Sequence, residues 1–98
     1  MWVLVMDVIE TLRRHGKEIR ERFSVRRIGV FGSYARGVQG EGSDVDILVE
    51  FDKPTFDNFM DLSIYLENLL GREVDLVTPN SLSPYIRPMV EKEVVWCG

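Results

Sequence analysis

The apolar positions of residues 2–23 recur mostly at spacings of three, four or seven, a pattern typical of an amphipathic helix. The stripe consists of Trp2, Val5, Ile9, Leu12, Ile19 and Phe23. Basic side chains of the same segment fall mainly off this stripe, as expected for a face in solvent. We therefore predict one helix over residues 2–23, with the single histidine, His15, at its surface.

Three further apolar segments predict strands. Residues 26–32 are typical of a short buried strand, and residues 73–78 of another that Pro79 ends. Residues 44–51 alternate between apolar and polar positions, so one face of this strand is expected to lie on the core. The core-facing positions are Val45, Ile47, Val49 and Phe51, and the other face carries Asp44, Asp46, Leu48 and Glu50.

Two more helices complete the pattern. Thr55 is a suitable N-cap for the first of them, and Gly71 is a suitable stop. A last helix is predicted from about Ser83 to Glu93, where Pro88 either kinks it or marks its true first turn. The order helix, strand, strand, helix, strand, helix predicts an α/β (α+β) fold with a small mixed sheet packed with helices.

The composition favours one soluble domain that spans residues 1–98. Twelve basic and 16 acidic residues give a net charge of −4. This charge argues against direct binding to nucleic acid, which needs a basic surface, but it allows a nucleotide that metal ions bring in. One cysteine excludes an internal disulfide. No segment has the roughly 20 apolar residues of a membrane span, and we expect a cytoplasmic location.

Three aspartates are candidates for a metal site. Asp44 and Asp46 are two residues apart on a strand, so their side chains point to the same face. Their mutual repulsion is relieved by a divalent cation, and hard oxygen ligands favour magnesium or manganese. Asp75 reaches the same site if its strand lies beside residues 44–51. Three carboxylates so placed can hold two ions about 3.5–4 Å apart, as in-line nucleotidyl transfer requires.

The residues before the acidic pair suit a phosphate. Gly32 lets a phosphate approach the backbone closely, and the Ser33 hydroxyl and nearby amides can donate to its oxygens. Arg36 follows one turn later and can pair with a phosphate or with an aspartate. Ser43, directly before the acidic pair, is a loop residue that can cap the strand or hold the loop. Taken alone, Gly-Ser and Asp-x-Asp are also common in ordinary turns and exposed strands.

Taken together, these segments resemble a known signature. Residues 32–37, Gly-Ser-Tyr-Ala-Arg-Gly, followed after a short loop by residues 43–46, Ser-Asp-Val-Asp, resemble the motif of the DNA polymerase β-like nucleotidyltransferase superfamily. More narrowly, they are similar to the minimal nucleotidyltransferases, known as MNT or MntA-type proteins. Residues 73–77 stand where that family places its third carboxylate. The similarity covers nearly the whole chain.

The resemblance implies a polymerase β palm-like core and a role for each motif residue. Gly32 and Ser33 would hold the triphosphate of ATP. Asp44 and Asp46 would ligate magnesium, with two ions expected. Asp75 would complete the metal site and could act as a general base toward the acceptor hydroxyl.

The resemblance also implies a partner. Larger relatives carry an additional acceptor domain, so we expect the acceptor half to come from a partner macromolecule or from a homo- or hetero-oligomer. Minimal nucleotidyltransferases are commonly paired with a HEPN-domain RNase toxin, which they neutralise by transferring AMP to a tyrosine. Two alternatives stay open at this point: an antitoxin that only masks its toxin by binding, and a nucleotidyltransferase acting on a small molecule such as an aminoglycoside.

Overall fold

The computed structural model describes residues 2–32 and 44–97, which form a four-stranded mixed sheet and its helices. The elements in chain order are α1 (Trp2–Arg14), α2 (Gly16–Phe23), β1 (Val25–Phe31), β2 (Val45–Phe51), α3 (Phe56–Leu70), β3 (Val74–Val77), a 3-10 turn (Pro79–Ser81), α4 (Arg87–Glu93) and β4 (Val95–Trp96). The strand order is β3-β2-β1-β4. β1 pairs antiparallel with β2 and β4, whereas β2 and β3 run parallel. The predicted fold class is confirmed.

The helix predicted over residues 2–23 is two helices that meet at His15. The backbone of His15 has φ −100° and ψ 7°, and its Nδ1 lies 2.9 Å from the carbonyl oxygen of Thr11. Gly16 is buried at the start of α2, and His15 is partly buried rather than fully exposed. The prediction of one continuous helix was therefore wrong. The apolar spacing did not reveal the break because Leu12 and Ile19 are both fully buried on either side of it.

The main hydrophobic core lies between one face of the sheet and helices α1 to α3. Alternate residues of β2 point into it, and Val45, Ile47 and Val49 are fully buried, as predicted. The buried cluster consists of Val8, Leu12, Ile19, Phe23, Val25, Ile28, Val30, Val45, Ile47, Val49, Leu62, Leu66, Leu76 and Cys97.

The opposite face of β2 is also covered at its centre. The alternation predicted that Leu48 faces away from the core, yet its side chain is fully buried. Leu48 and Val90 of α4 are both buried but lie outside the main cluster. Glu50 of this second face and Arg87 of α4 line one surface groove. The expectation of a single core face was therefore wrong at Leu48, because the second face is also covered at this position.

The helix boundaries after β2 follow their capping residues. The Thr55 hydroxyl accepts a hydrogen bond from the Asn58 N–H at 3.1 Å, and Gly71 ends α3 with φ 65°. Both predicted caps are confirmed. The last helix starts at Arg87 rather than near Ser83, with Pro88 in its first turn, where the missing N–H of proline costs no hydrogen bond.

A short fourth strand closes the sheet and was not predicted. Val95 and Trp96 of β4 pair with Val30 and Gly29 of β1. A Cβ at Gly29 would lie 2.7 Å from Val94 Cγ2 and 2.8 Å from the Val95 oxygen, so glycine is needed for this close approach. Two residues are too short for a periodic pattern. Within the described residues, no helix is long and apolar enough to cross a membrane.

We predict that the thiol of Cys97 is almost unreactive in the native protein. Burial raises its pKa from the ordinary value of 9.0 to about 11, and the charge of Arg13 only partly offsets this. Because the pKa of Cys97 is about two units higher, the fraction of thiolate at pH 8 is about a hundredfold lower. A disulfide reagent should therefore label the native protein far more slowly than the urea-unfolded protein, the control. Equal labelling rates would contradict the buried position.

Candidate functional site

The parallel pairing of β2 with β3 places two of the predicted aspartates side by side. Asp46 and Asp75 are register partners, flanked by the pairs Val45–Val74 and Ile47–Leu76. Register partners in a sheet point to the same face, and neighbouring strands lie about 4.8 Å apart. Asp75 was expected to reach this site if its strand lay beside residues 44–51, and the pairing of β3 with β2 meets that condition.

Asp44 lies at the entrance to the same strand. It directly precedes β2 and is exposed, as is Asp75, whereas Asp46 is partly buried. The N–H of Val45 donates to the Glu73 carbonyl oxygen at 3.0 Å, which holds the start of β2 against β3. Asp46 and Asp75 therefore lie side by side at one end of the sheet, and Asp44 precedes Asp46 on the same strand end. The negative charge of these carboxylates attracts cations.

Gly32 brings the other half of the motif against Asp46. It follows β1 with φ 72°, and its neighbour Phe31 pairs with Asp46 across the antiparallel strands. A Cβ on Gly32 would overlap Asp46 Oδ2 and lie 3.1 Å from Asp46 Cγ. Both the positive φ and the absence of a side chain are therefore required here. Gly32, the first residue of the predicted phosphate-binding segment, therefore lies close to Asp46 of the acidic pair.

The donor chemistry at this end of the sheet fits magnesium. Asp44, Asp46 and Asp75 supply hard carboxylate oxygens, and both His15 and the buried Cys97 belong to other parts of the fold. In residues 2–32 and 44–97, no group of three histidine, cysteine or acidic side chains is already gathered as it would be around an ion.

Three predicted site residues, Ser33, Arg36 and Ser43, lie outside the described residues, and their roles stay predictions. Conversely, the structure brings in a residue that the sequence did not single out. The N–H of Gly32 donates to Glu93 Oε1 of α4 at 3.3 Å. No sequence signal pointed to Glu93, because its position depends on β4, which the periodicity could not reveal.

A groove between α2 and α3 is separate from this cluster. It has a volume of about 630 Å³, and none of the predicted site residues lines it. Tyr65 there donates to Glu18 Oε1 at 2.6 Å. Burial, followed by this bond and the Glu18 charge, raises the pKa of Tyr65 to about 12. Its hydroxyl therefore stays protonated at neutral pH and serves the packing of the two helices.

Comparison with known proteins relates this chain to nucleotidyltransferases. The model of the nucleotidyltransferase domain family matches residues 12–97. Protein adenylyltransferase MntA of Thermococcus cleftensis is 53% identical over 98 residues, which cover 98% of this chain and 99% of that protein.

Solved structures agree with this relationship. A "Structure of putative minimal nucleotidyltransferase" has a TM-score of 0.74 at 38% identity and covers 89% of this chain and 93% of that chain. A "Crystal structure of the toxin-antitoxin with AMP-PNP" has a TM-score of 0.71 at 25% identity, covering 88% of this chain and 72% of that chain. With the family model matched over most of its length, the chain belongs to the nucleotidyltransferase domain family, among its minimal members.

Proposed function

We propose that this nucleotidyltransferase uses magnesium to transfer AMP from ATP to a hydroxyl group of a protein partner, and that the partner is the HEPN-type RNase toxin of a toxin–antitoxin pair. The observation that carries the proposal is the pairing of Asp46 with Asp75 while Gly32 lies against the Asp46 carboxylate. The relative named protein adenylyltransferase supports the reaction. The toxin–antitoxin structure with AMP-PNP supports the nucleotide and the setting.

In this reaction, the acceptor oxygen attacks the α-phosphorus of ATP. The bond from that phosphorus to the bridging oxygen breaks, and pyrophosphate leaves. Asp44 and Asp46 would hold magnesium, which supplies charge neutralisation at the phosphates. Asp75 stands beside Asp46, and its carboxylate would take the proton from the acceptor hydroxyl. Gly32, followed by Ser33, would present backbone amides and a hydroxyl to the triphosphate.

The open geometry of the carboxylate cluster favours a macromolecular acceptor. Asp44 and Asp75 are both exposed, so a hydroxyl on a partner surface can reach them directly. Large apolar side chains are also exposed elsewhere, as is common on surfaces that a protein partner covers. These side chains are Phe56, Met60, Ile64, Tyr85, Ile86 and Met89.

We predict that ATP and magnesium together cause the partner toxin to gain the mass of one or more adenylyl groups when this protein is present. Intact-mass spectrometry of the mixture measures the gain, and omission of magnesium should abolish it. A toxin of proven RNase activity that gains no mass would overturn the proposed reaction. If an aminoglycoside instead gains an adenylyl group with no protein partner present, the protein is a nucleotidyltransferase that acts on small molecules.

Removal of the metal ligands should separate transfer from binding. The double variant Asp44→Asn, Asp46→Asn should lose more than about a hundredfold in transfer rate, because metal ions contribute several kcal/mol to the transition state. It should still bind the toxin, measured by calorimetry, yet leave its RNase active. Asp52→Asn is the matched control, because Asp52 follows the same strand but pairs with Arg26 at 3.0 Å. If the double variant neutralises the toxin as well as wild type does, masking is the mechanism.

Gly32→Ala should abolish transfer, whereas Gly71→Ala should not. The two glycines have nearly the same positive φ, 72° and 65°, so alanine should cost each about 1–2 kcal/mol of stability. Only at Gly32 does the added Cβ meet Asp46, because nothing lies within 4 Å of it at Gly71. Urea unfolding and the transfer rate measure the two effects. Comparable loss of transfer in both variants would show that strain alone is responsible.

A further inference from the structure

The side chain of Glu93 reaches the peptide that leads into the predicted phosphate-binding segment. Glu93 is the last residue of α4, lies 61 positions from Gly32 in the chain, and accepts the Gly32 N–H through Oε1 at 3.3 Å. It is partly buried. A carboxylate that accepts from a backbone N–H makes a charge-assisted hydrogen bond, which is stronger than a neutral one. The Gly32 peptide is therefore held in a defined orientation.

The sheet determines where Glu93 stands. Val95 of β4 pairs with Val30 of β1 in antiparallel register. Glu93 lies two residues before Val95, at the end of α4, and Gly32 lies two residues after Val30, so this pairing brings both residues to the same end of the two strands. The N–H of Cys97 donates to the Ile28 carbonyl oxygen at 2.8 Å and extends the pairing in the other direction. Glu93 is thus positioned by the backbone of β4, which continues directly from α4.

Gly32 is constrained from two directions. The Asp46 carboxylate lies where its side chain would be, and the Glu93 carboxylate takes its N–H. The next residue along the chain is Ser33, the predicted donor to the triphosphate. A rotation of the Gly32 peptide would redirect the chain at this point, so the hydrogen bond from Gly32 to Glu93 restrains the entry to the nucleotide site.

We propose that Glu93 is a positioning residue of the nucleotide site, which acts through Gly32 and does not itself touch the substrate. The proposal depends on the nucleotide binding of the proposed function and adds a residue from α4 to it. Charge repulsion and positioning predict opposite changes in ATP affinity when Glu93 is removed. A carboxylate near a triphosphate repels it, so removal of Glu93 would strengthen ATP binding if charge were its only contribution. Positioning predicts the opposite result.

The test compares variants of the full chain that differ in one property. Glu93→Met keeps the length of the side chain but removes the strong acceptor, and Glu93→Gln keeps an acceptor oxygen but removes the charge. Glu93→Ala is a second variant without an acceptor, for use if the methionine variant does not fold. Glu91→Met is the matched control on the same helix, where Glu91 only pairs with Arg87 at 2.7 Å on the surface. Far-UV circular dichroism and urea unfolding verify the fold of each variant.

We expect Glu93→Met to weaken Mg-ATP binding by about tenfold to a hundredfold, the range for a hydrogen bond to a charged group. The Kd by calorimetry and the KM for ATP should rise together, while kcat changes less than about threefold. Glu93→Gln and Glu91→Met should stay within about threefold of wild type in both. In NMR spectra, the Gly32 amide resonance should shift most in Glu93→Met and least in Glu91→Met.

Several results would overturn the inference. Equal or tighter ATP binding by a folded Glu93→Met or Glu93→Ala variant contradicts positioning, and so does a Glu93→Gln variant as weak as Glu93→Met. The proposed acceptor is tested separately. A wild-type protein that binds ATP but modifies no protein refutes the proposed acceptor and leaves the role of Glu93 intact. A wild-type protein that binds no ATP refutes both.

Discussion

Burial of apolar side chains on one face of the sheet decides where the carboxylates of the other face stand. Ile47 of β2 and Leu76 of β3 are register partners, and both are buried in the main core. Because side chains alternate along a strand, the same register sets Asp46 beside Asp75 on the opposite face. A slip of one residue would move carboxylates into the core and apolar side chains into water, at a large desolvation cost. The site geometry therefore depends on the hydrophobic core.

Glycine at position 32 links the two halves of the motif in space. The positive φ there turns the chain after β1, and the missing side chain leaves room for the Asp46 carboxylate. Glu93 takes the Gly32 N–H, so the last helix contributes to the same site. The adjacent strands β3, β2 and β1 thus carry or border the carboxylates and Gly32. β4 is the edge strand beside β1 and follows α4 in the chain.

Local signals in the sequence were sufficient for the elements that have strong periodicity or capping residues. The alternation over residues 44–51 predicted β2 and its buried positions, and Thr55 and Gly71 predicted the ends of α3. The signals failed where a tertiary contact overrides the pattern. Leu48 is buried although it lies on the face opposite the main core, and β4 pairs with β1 where Gly29 admits a neighbouring backbone at close range. The spacing of apolar residues predicts neither the position of α4 nor the close approach of β4 to Gly29.

By itself, the sequence determined the chemical groups and their local order: the Gly-Ser dipeptide, the Asp-x-Asp pair, and the third acidic strand. These follow from spacing within single elements, which periodicity predicts directly. Only the tertiary structure decided which of those groups are neighbours. The pairing of β2 with β3 places Asp75 beside Asp46. The hydrogen bond from the Gly32 N–H to the Glu93 carboxylate connects α4 to the same end of the sheet. The reason is physical, because contacts between distant segments are chosen by burial of the whole core and not by any local pattern.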